Sequence, residues 1–308
     1  MAAHTSKRVI YAALAGNTAI ALTKLAAALF TGSAAMLSEA IHSFVDTGNQ
    51  LLLLFGLRRA AMPADAQHPF GYGLQLYFYT FVVAVLIFGV GAVVSILHGI
   101  DKIRDPHPVE HAWVNYVVLG IGVIFEGGVW LVALKAFDKE RNGRGWLRAV
   151  RSSKDPTVFT VLFEDTAALM GLLVALLGVF FSEELGLPVI DGIASVMVGA
   201  ILAVTAFFLA FESQSLLTGE AADRETREGI AEIARRAAGV SGLNQALTMH
   251  FGPHEVFVAL SLDFEDSLTA AQVEQTVTRI EQAIKQAYPD VRQIFIEAQS
   301  FDADKRGR

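Results

Sequence analysis

Long apolar stretches recur along the first two-thirds of the chain. A helix needs about 20 consecutive, mostly apolar residues to cross a hydrocarbon core. Six windows meet this requirement, at residues 9–30, 34–56, 75–98, 113–136, 158–181 and 190–211. The pattern predicts a multi-pass α-helical membrane protein with six transmembrane helices.

The pattern changes near residue 215. The stretch "DRETREGIAEIARRAAGV" has apolar residues at helical spacing, with acidic residues in its first turn. Two short strand-like runs, an amphipathic helix that opens at "SLTAAQ", and a final strand "VRQIFIEAQS" follow it. We therefore predict a cytoplasmic α+β domain of α-β-β-α-β, ferredoxin-like order at residues 213–308, after a transmembrane domain at residues 1–212.

Composition agrees with a membrane protein and excludes some functions. Of the 308 residues 53% are hydrophobic and only 18% are charged, whereas soluble domains average about 25% charged. The formal net charge of −7 argues against nucleic acid as a partner. Since the chain has no cysteine, disulfides and thiolate metal sites are excluded.

Basic residues between the windows predict the orientation. The loop after the third window carries only Lys102 and Arg104. The loops on the opposite side carry many more basic residues: Arg58, Arg59, Lys139, Arg141, Arg144, Arg148, Arg151 and Lys154. Because basic loops stay in the cytoplasm, both termini are predicted to be cytoplasmic. A signal-peptide pattern is not evident, which favours a prokaryotic inner (plasma) membrane.

A polar stripe interrupts the second window, in "SEAIHSFVD". Glu39, His42 and Asp46 are three and four residues apart, so they share one face of a helix. An aspartate at the bilayer centre costs about 2.5–3.5 kcal/mol, and such residues tend to mark ion or proton paths. His42 and Asp46 at this spacing suit two ligands of one cation, although the stripe could instead join helices by hydrogen bonds.

The fifth window carries a second acidic pair, Glu164 and Asp165, followed by further apolar helix. One interpretation places both carboxylates at the end of the span. Together with the stripe, however, they favour a cation site built from two spans. Metal ligands must be deprotonated, and histidine titrates near neutral pH, so such a site would link cation binding to proton release.

Three segments together resemble one family. The run "TGSAAMLSEAIHSFVDTGNQ", the loop "HPFGYG" and the run "FESQSLLTGE" are similar to the cation diffusion facilitators. The resemblance covers essentially the whole chain. It implies six membrane helices, a cytoplasmic α-β-β-α-β domain, and a homodimer that exchanges divalent metal for protons.

The resemblance also implies a transport site. His42 and Asp46 match the family's pair on the second helix, and Asp165 matches the aspartate of a His-x-x-x-Asp pair on the fifth. Val161 stands where that histidine is expected and cannot bind metal, and Glu164 is the nearest substitute. One imidazole with two or three carboxylates is an oxygen-rich ligand set, which manganese and ferrous iron also accept. Zinc is the first choice of metal, with manganese, ferrous iron and cobalt as alternatives.

Other family sites are incomplete in this sequence. Asp65 and His68 match two of three ligands of a secondary site in the loop after the second helix, where Tyr72 replaces the third. The loop could equally be metal-free. In the C-terminal domain, where relatives bind metal, the corresponding residues are Ser261, Glu297 and Gln299. Metal binding there is therefore doubtful, and dimer contact is the expected role.

The sequence thus predicts divalent metal efflux by metal/proton antiport, with no cofactor other than the transported cation. A motif of an intramembrane metallohydrolase, such as His-Glu-x-x-His, does not occur, so we do not expect an enzyme. The alternative is a transport-inactive membrane scaffold of the same fold. Val161 and Tyr72 favour that alternative, whereas His42, Asp46 and Asp165 oppose it.

Overall fold

The computed structural model describes residues 2–109, 111–141, 145, 154 and 156–300. The basic residues Arg144, Arg148 and Arg151, which support the predicted orientation, lie outside these ranges. The chain divides into two compact units. One consists of Met1–Arg58 and Phe78–Gln214, and the other of Arg59–Tyr77 and Ser215–Arg308.

Long helices build the first unit. They are Ala2–Thr31 (α1), Ala34–Ala60 (α2), Leu74–Arg104 (α3), Ala112–Arg141 (α4), Pro156–Glu184 (α5) and Val189–Leu217 (α6). Helix α3 contains a π-helical segment, Ile87–Ala92. A tight turn at Gly32, whose φ of 65° favours glycine, separates α1 from α2.

Four helices in the described part of the chain are long and apolar enough to cross a membrane. They are Leu74–Arg104, Ala112–Leu131, Phe159–Glu184 and Val189–Leu217, and a shorter apolar helix lies at Asn17–Thr31. Helix α2 is not among the helices that are apolar enough to cross a membrane, because polar residues such as Glu39, His42 and Asp46 interrupt its apolar sequence. The total of six transmembrane helices therefore stays a prediction.

A carboxylate on α6 fixes the start of α2. Asp191, which is fully buried, accepts hydrogen bonds from the Ser33 hydroxyl (2.6 Å) and from the backbone N–H groups of Ala34 (2.7 Å) and Ala35 (3.3 Å). The first N–H groups of a helix have no partner within the helix, and a carboxylate there also complements the helix dipole. Asp191 thereby holds the N-terminal end of the helix that carries His42 and Asp46.

Small residues let these helices pack closely. One buried cluster joins α1, α2, α4, α5 and α6 through the residues Ala27, Ala28, Ala35, Met36, Leu119, Leu172, Ala175 and Ala194. Alanine and glycine at helix contacts permit close backbone approach, which is the main source of helix association in lipid. The packing therefore places polar side chains of different helices within reach of one another.

The second unit contains the predicted α+β domain. Its elements are Arg224–Arg236 (α7), Val240–Gly252 (β1), Glu255–Phe264 (β2), Ala270–Ala287 (α8) and Val291–Ala298 (β3). The sheet order is β1-β2-β3, with β1 antiparallel and β3 parallel to β2. The predicted order α-β-β-α-β is confirmed.

Alternation along the central strand gives this domain its core. Val256, Val258, Leu260 and Leu262 on β2 are buried and pack with residues of both helices, including Ile230, Ile280 and Ile284. Successive strand residues point to opposite faces, so every second residue of β2 faces the helices. The helices consequently cover one face of the sheet.

The loop that follows α2 belongs to the second unit. Phe70 stacks on Phe251 with 5.0 Å between ring centroids and meets the edge of Phe257 at 5.8 Å. A Cβ atom on Gly73 would collide with the Phe251 carbonyl oxygen, so only glycine fits there. The loop is thereby packed against the turn between β1 and β2.

Candidate cation site

The predicted pair on α2 forms as expected from its spacing. His42 Nδ1 lies 3.4 Å from Asp46 Oδ1, one helical turn away. The His42 side chain is only 1% exposed, and neither ring nitrogen has a hydrogen-bond partner among the described residues. Because a buried polar group without a partner costs about 1–3 kcal/mol, this imidazole calls for a functional explanation.

A small cavity lies beside this pair. It has a volume of about 100 Å³ and its walls come from four helices. The lining residues are Asn17, Ile20, Ser43, Asp46, Gln50, Phe125, Glu126, Val129 and Asp165. The structure thus brings Asp46 of α2 and Asp165 of α5 to one space. Within the part of the chain that the structure describes, the buried Oδ2 atom of Asp165 has no hydrogen-bond partner.

Glu164 does not line this cavity. Its side chain is buried, and its Oε1 atom accepts a hydrogen bond from Asn49 Nδ2 at 2.9 Å. Adjacent helix positions differ by about 100° in direction, which explains why Glu164 and Asp165 face different neighbours.

Within the described residues, the structure contains no group of three or more His, Asp or Glu side chains close enough together to hold a metal ion. Ligands of a bound metal would converge on one point. The four predicted ligands do not converge in this way: His42, Asp46, Asp165 and Glu164. Asp46 nevertheless interacts electrostatically with Glu164, Glu126 and Asp165. The ligand set stays a prediction.

A buried ion pair that the sequence analysis missed holds Glu39. Lys24 of α1 is fully buried, and its Nζ atom lies 3.3 Å from Glu39 Oε2 and donates to Ser43 Oγ at 2.8 Å. The sequence does indicate such a pair, because a lysine inside an apolar span requires a polar or acidic partner. The stripe of α2 therefore has two roles: Glu39 joins helices, whereas Asp46 lines the cavity and contacts His42.

Helix α5 leaves room for this pair at Gly171. A Cβ atom there would overlap Glu39 Oε1, which has no hydrogen-bond partner in the described structure. Glycine at this position therefore allows the Lys24–Glu39 pair to fit between α1, α2 and α5.

We expect Gly171→Ala to destabilise the protein by about 1–3 kcal/mol, the usual cost of overpacking. The measurement is the unfolding midpoint in detergent. Gly128→Ala is the matched control, because nothing lies within 4 Å of a Cβ atom at Gly128. In a helix interior that change should be neutral or stabilising by about 0.5–1 kcal/mol. Equal midpoints for both variants would contradict this account of Gly171.

The possible secondary site in the loop is organised around Asp65. Asp65 Oδ1 accepts hydrogen bonds from the backbone N–H groups of Gln67 (2.9 Å) and His68 (2.7 Å), and Oδ2 accepts one from the Tyr72 hydroxyl (2.7 Å). The His68 ring lies against the Tyr72 ring, with 4.1 Å between centroids. The carboxylate therefore already has three donors and serves as the centre of a turn.

The hydrogen bond from the Tyr72 hydroxyl holds the pKa of Asp65 below the ordinary aspartate value of 3.8, and the two backbone donors act in the same direction. We expect Tyr72→Phe to raise that pKa towards 3.8, which an NMR titration of labelled aspartate carboxyls would measure. Because the pKa of Asp65 is lower in the folded state than in the unfolded state, its carboxylate stabilises the fold at pH values above the unfolded-state pKa. This stabilisation is lost as the pH falls through the folded-state pKa. An unchanged Asp65 pKa in Tyr72→Phe would contradict the assignment.

In the C-terminal domain, amide and hydroxyl groups lie at two of the positions where the resemblance predicts metal ligands, Ser261 and Gln299. Asn244 Nδ2 donates to the Gln299 backbone carbonyl at 2.7 Å, and Ser261 Oγ lies 3.4 Å from Gln299 Oε1. Glu297 is exposed on β3. These groups form a neutral polar contact between β1, β2 and the residue that follows β3. The expectation that metal binding there is doubtful stays a prediction.

Family profiles match both parts of the chain. The cation efflux transmembrane domain matches residues 10–218, and the cytoplasmic domain of cation efflux proteins matches residues 222–299. The C-terminal domain is also similar to a MamM C-terminal-domain variant in a nickel form. That similarity has a TM-score of 0.24 and 15% identity, and covers 25% of this chain and 98% of that one.

Curated relatives extend this similarity. The "Proton-coupled zinc antiporter SLC30A9, mitochondrial" of Homo sapiens is 30% identical over 260 residues, 84% of this chain and 46% of the relative. "Metal tolerance protein C4" of Arabidopsis thaliana is 28% identical, over 85% of this chain and 58% of the relative. "Cation-efflux pump FieF" of Shewanella oneidensis is 26% identical, over 90% of each. The chain spans about half the length of SLC30A9.

Proposed function

The chain belongs to the cation efflux family, the cation diffusion facilitators, and from this premise we propose that it exports divalent metal cations in exchange for protons. The observation that carries the proposal is the contact of the buried His42 with Asp46, which lines a cavity together with Asp165. If His42 only joined helices by hydrogen bonds, its ring nitrogens would have partners, and among the described residues they have none.

The chemistry of these groups suits exchange. Carboxylates and neutral imidazole bind divalent cations, and the same atoms take up protons when the cation leaves. We propose His42, Asp46 and Asp165 as ligands, and Glu164 as the predicted fourth ligand. Zinc is the first choice of cargo, and manganese, ferrous iron and cobalt are alternatives, because carboxylate-rich sites accept harder cations.

Charge movement sets the number of protons. Moving two positive charges against 100 mV costs about 4.6 kcal/mol, at about 2.3 kcal/mol per charge. One returning proton offsets half of this cost, and two make the cycle electroneutral. A pH gradient then contributes about 1.4 kcal/mol per unit for each proton. His42 together with one carboxylate could carry two protons.

We further propose that the protein spans the membrane six times and forms a homodimer through its C-terminal domain. The match to the family's cytoplasmic domain supports the dimer. Both termini in the cytoplasm of a prokaryotic inner membrane agree with the basic loop residues Arg58 and Arg59. Neither nucleic acid nor a resident cofactor has a role in this mechanism.

The test is flux of zinc, manganese, ferrous iron and cobalt into proteoliposomes that contain a pH-sensitive dye. We expect metal entry with opposed proton movement. Val161→His adds an imidazole one turn before Asp165 and should shift the preference towards zinc. If a correctly folded dimer moves none of the four metals, the transport-inactive scaffold becomes the better account.

A further inference from the structure

Three buried serines join α2, α3 and α6 one helical turn from His42. Ser38, Ser195 and Ser95 are each fully buried. The Ser195 hydroxyl donates to the Ser95 backbone carbonyl at 2.8 Å, and Ser38 Oγ lies 2.6 Å from Ser195 Oγ. A serine hydroxyl has one hydrogen to donate, so Ser195 accepts from Ser38. The hydrogen bonds therefore run in one direction, from α2 through α6 to the backbone of α3.

Helices α3 and α6 support this chain of hydrogen bonds. A Cβ atom on Gly99 would lie 2.7 Å from the Gly192 carbonyl oxygen, and one on Gly192 would lie 2.9 Å from that of Gly99. Glycine at both positions therefore lets the two backbones meet, as small residues do in membrane bundles. Asp191 of α6 also binds the N-terminal end of α2. Helix α6 thus holds α2 at two points about one turn apart along α6, Asp191 and Ser195.

The second of these points bears on the direction of the His42 ring. Ser38 and His42 are four residues apart and share a face of α2. A metal-binding histidine is usually oriented by a hydrogen bond to its other ring nitrogen, but neither nitrogen of His42 has a partner among the described residues. Asp46, which His42 contacts at 3.4 Å, lies on the same helix. The direction of the ring relative to the other helices therefore depends on how α2 is placed.

We infer that Ser195 is a positioning residue of the transport site: by accepting from Ser38 it fixes the rotation of α2, and with it the direction in which His42 is presented to the cation. The inference rests on the proposed function and assigns α6 a part in it. A bond that only joined helices would affect stability alone. A positioning bond also affects which cation is preferred, because zinc depends on imidazole more than manganese does.

The experiment measures zinc and manganese flux into proteoliposomes over a range of metal concentrations, for Ser195→Ala and for the control Ser213→Ala. Ser213 is also a fully buried serine of α6, and its Oγ atom has no hydrogen-bond partner among the described residues. We expect Ser195→Ala to raise the half-saturating zinc concentration by about tenfold, the lower end of the effect of residues that orient metal ligands. The preference for zinc over manganese should fall by about threefold or more. Ser213→Ala should transport as wild type.

Unfolding midpoints in detergent separate positioning from stability. Single hydrogen bonds between membrane helices contribute little, so both variants should unfold close to wild type. If Ser38 and Ser195 act through one bond, Ser38→Ala/Ser195→Ala should be no more impaired than the more impaired single variant. Zinc saturation equal to that of Ser213→Ala, or equal losses for zinc and manganese, would overturn the inference. If the folded wild-type protein transports neither metal, the proposed function itself fails, so the two failures are distinguishable.

Discussion

Replacing Asp165 by alanine should reduce metal-driven proton flux by about 100-fold or more, since even changes around a metal site cost about 10–100-fold. Asp165 lines the same cavity as Asp46, and its buried Oδ2 atom has no hydrogen-bond partner among the described residues. The site would lose a charge that balances the cation. The measurement is the initial rate of lumenal pH change when zinc is added to proteoliposomes.

Glu184→Ala is the matched control for this prediction. Glu184 is an exposed carboxylate on the same helix, α5, at its end. We expect flux within about twofold of wild type, because an exposed carboxylate is largely screened by solvent. If the flux of Asp165→Ala equals that of wild type, Asp165 is not part of the transport site. A site shared by α2 and α5 would then be contradicted.

The second large effect is expected on stability. Lys24→Met should destabilise the protein by about 3–5 kcal/mol, because it leaves the buried Glu39 carboxylate without its cation. Ser43 Oγ would also lose its donor. Reversible unfolding in mixed detergent micelles measures this change as a shift in the midpoint.

The double variant Lys24→Met/Glu39→Leu tests the cause. Removing both charges eliminates the uncompensated carboxylate, and replacing a buried ion pair by apolar residues is often neutral or stabilising. We therefore expect the double variant to regain most of the stability lost by Lys24→Met. A double variant that is less stable than Lys24→Met would show that Glu39 is stabilised by something other than Lys24.

Local sequence patterns predicted the helices and strands, but they predicted poorly which of these elements contact one another. The alternation of Val256, Val258 and Leu260 was sufficient to predict a strand with one buried face, and the α-β-β-α-β order followed. The spacing of His42 and Asp46 likewise fixes their proximity within one helix. Both features depend on periodicity along a single element.

Contacts between helices depend on rotations that one sequence does not reveal. Glu126 is the only acidic residue among the apolar residues of the fourth window, and its position in the cavity with Asp46 depends on how α4 packs against α2. Lys24 and Glu39 are 15 residues apart and meet only because α1 and α2 turn back on each other at Gly32. The sequence also left open which way Glu164 points, and the structure turns it to Asn49.

The central claim of metal/proton exchange is tested most directly by driving zinc with a pH gradient alone. Proteoliposomes would hold equal zinc on both sides, an acidic lumen and a clamped membrane potential. Exchange with two protons predicts lumenal zinc accumulation approaching about 100-fold per pH unit, and with one proton about tenfold. Lumenal pH should rise as zinc enters, and a proton ionophore should abolish the accumulation. Zinc that stays equal on both sides despite the gradient would contradict the account.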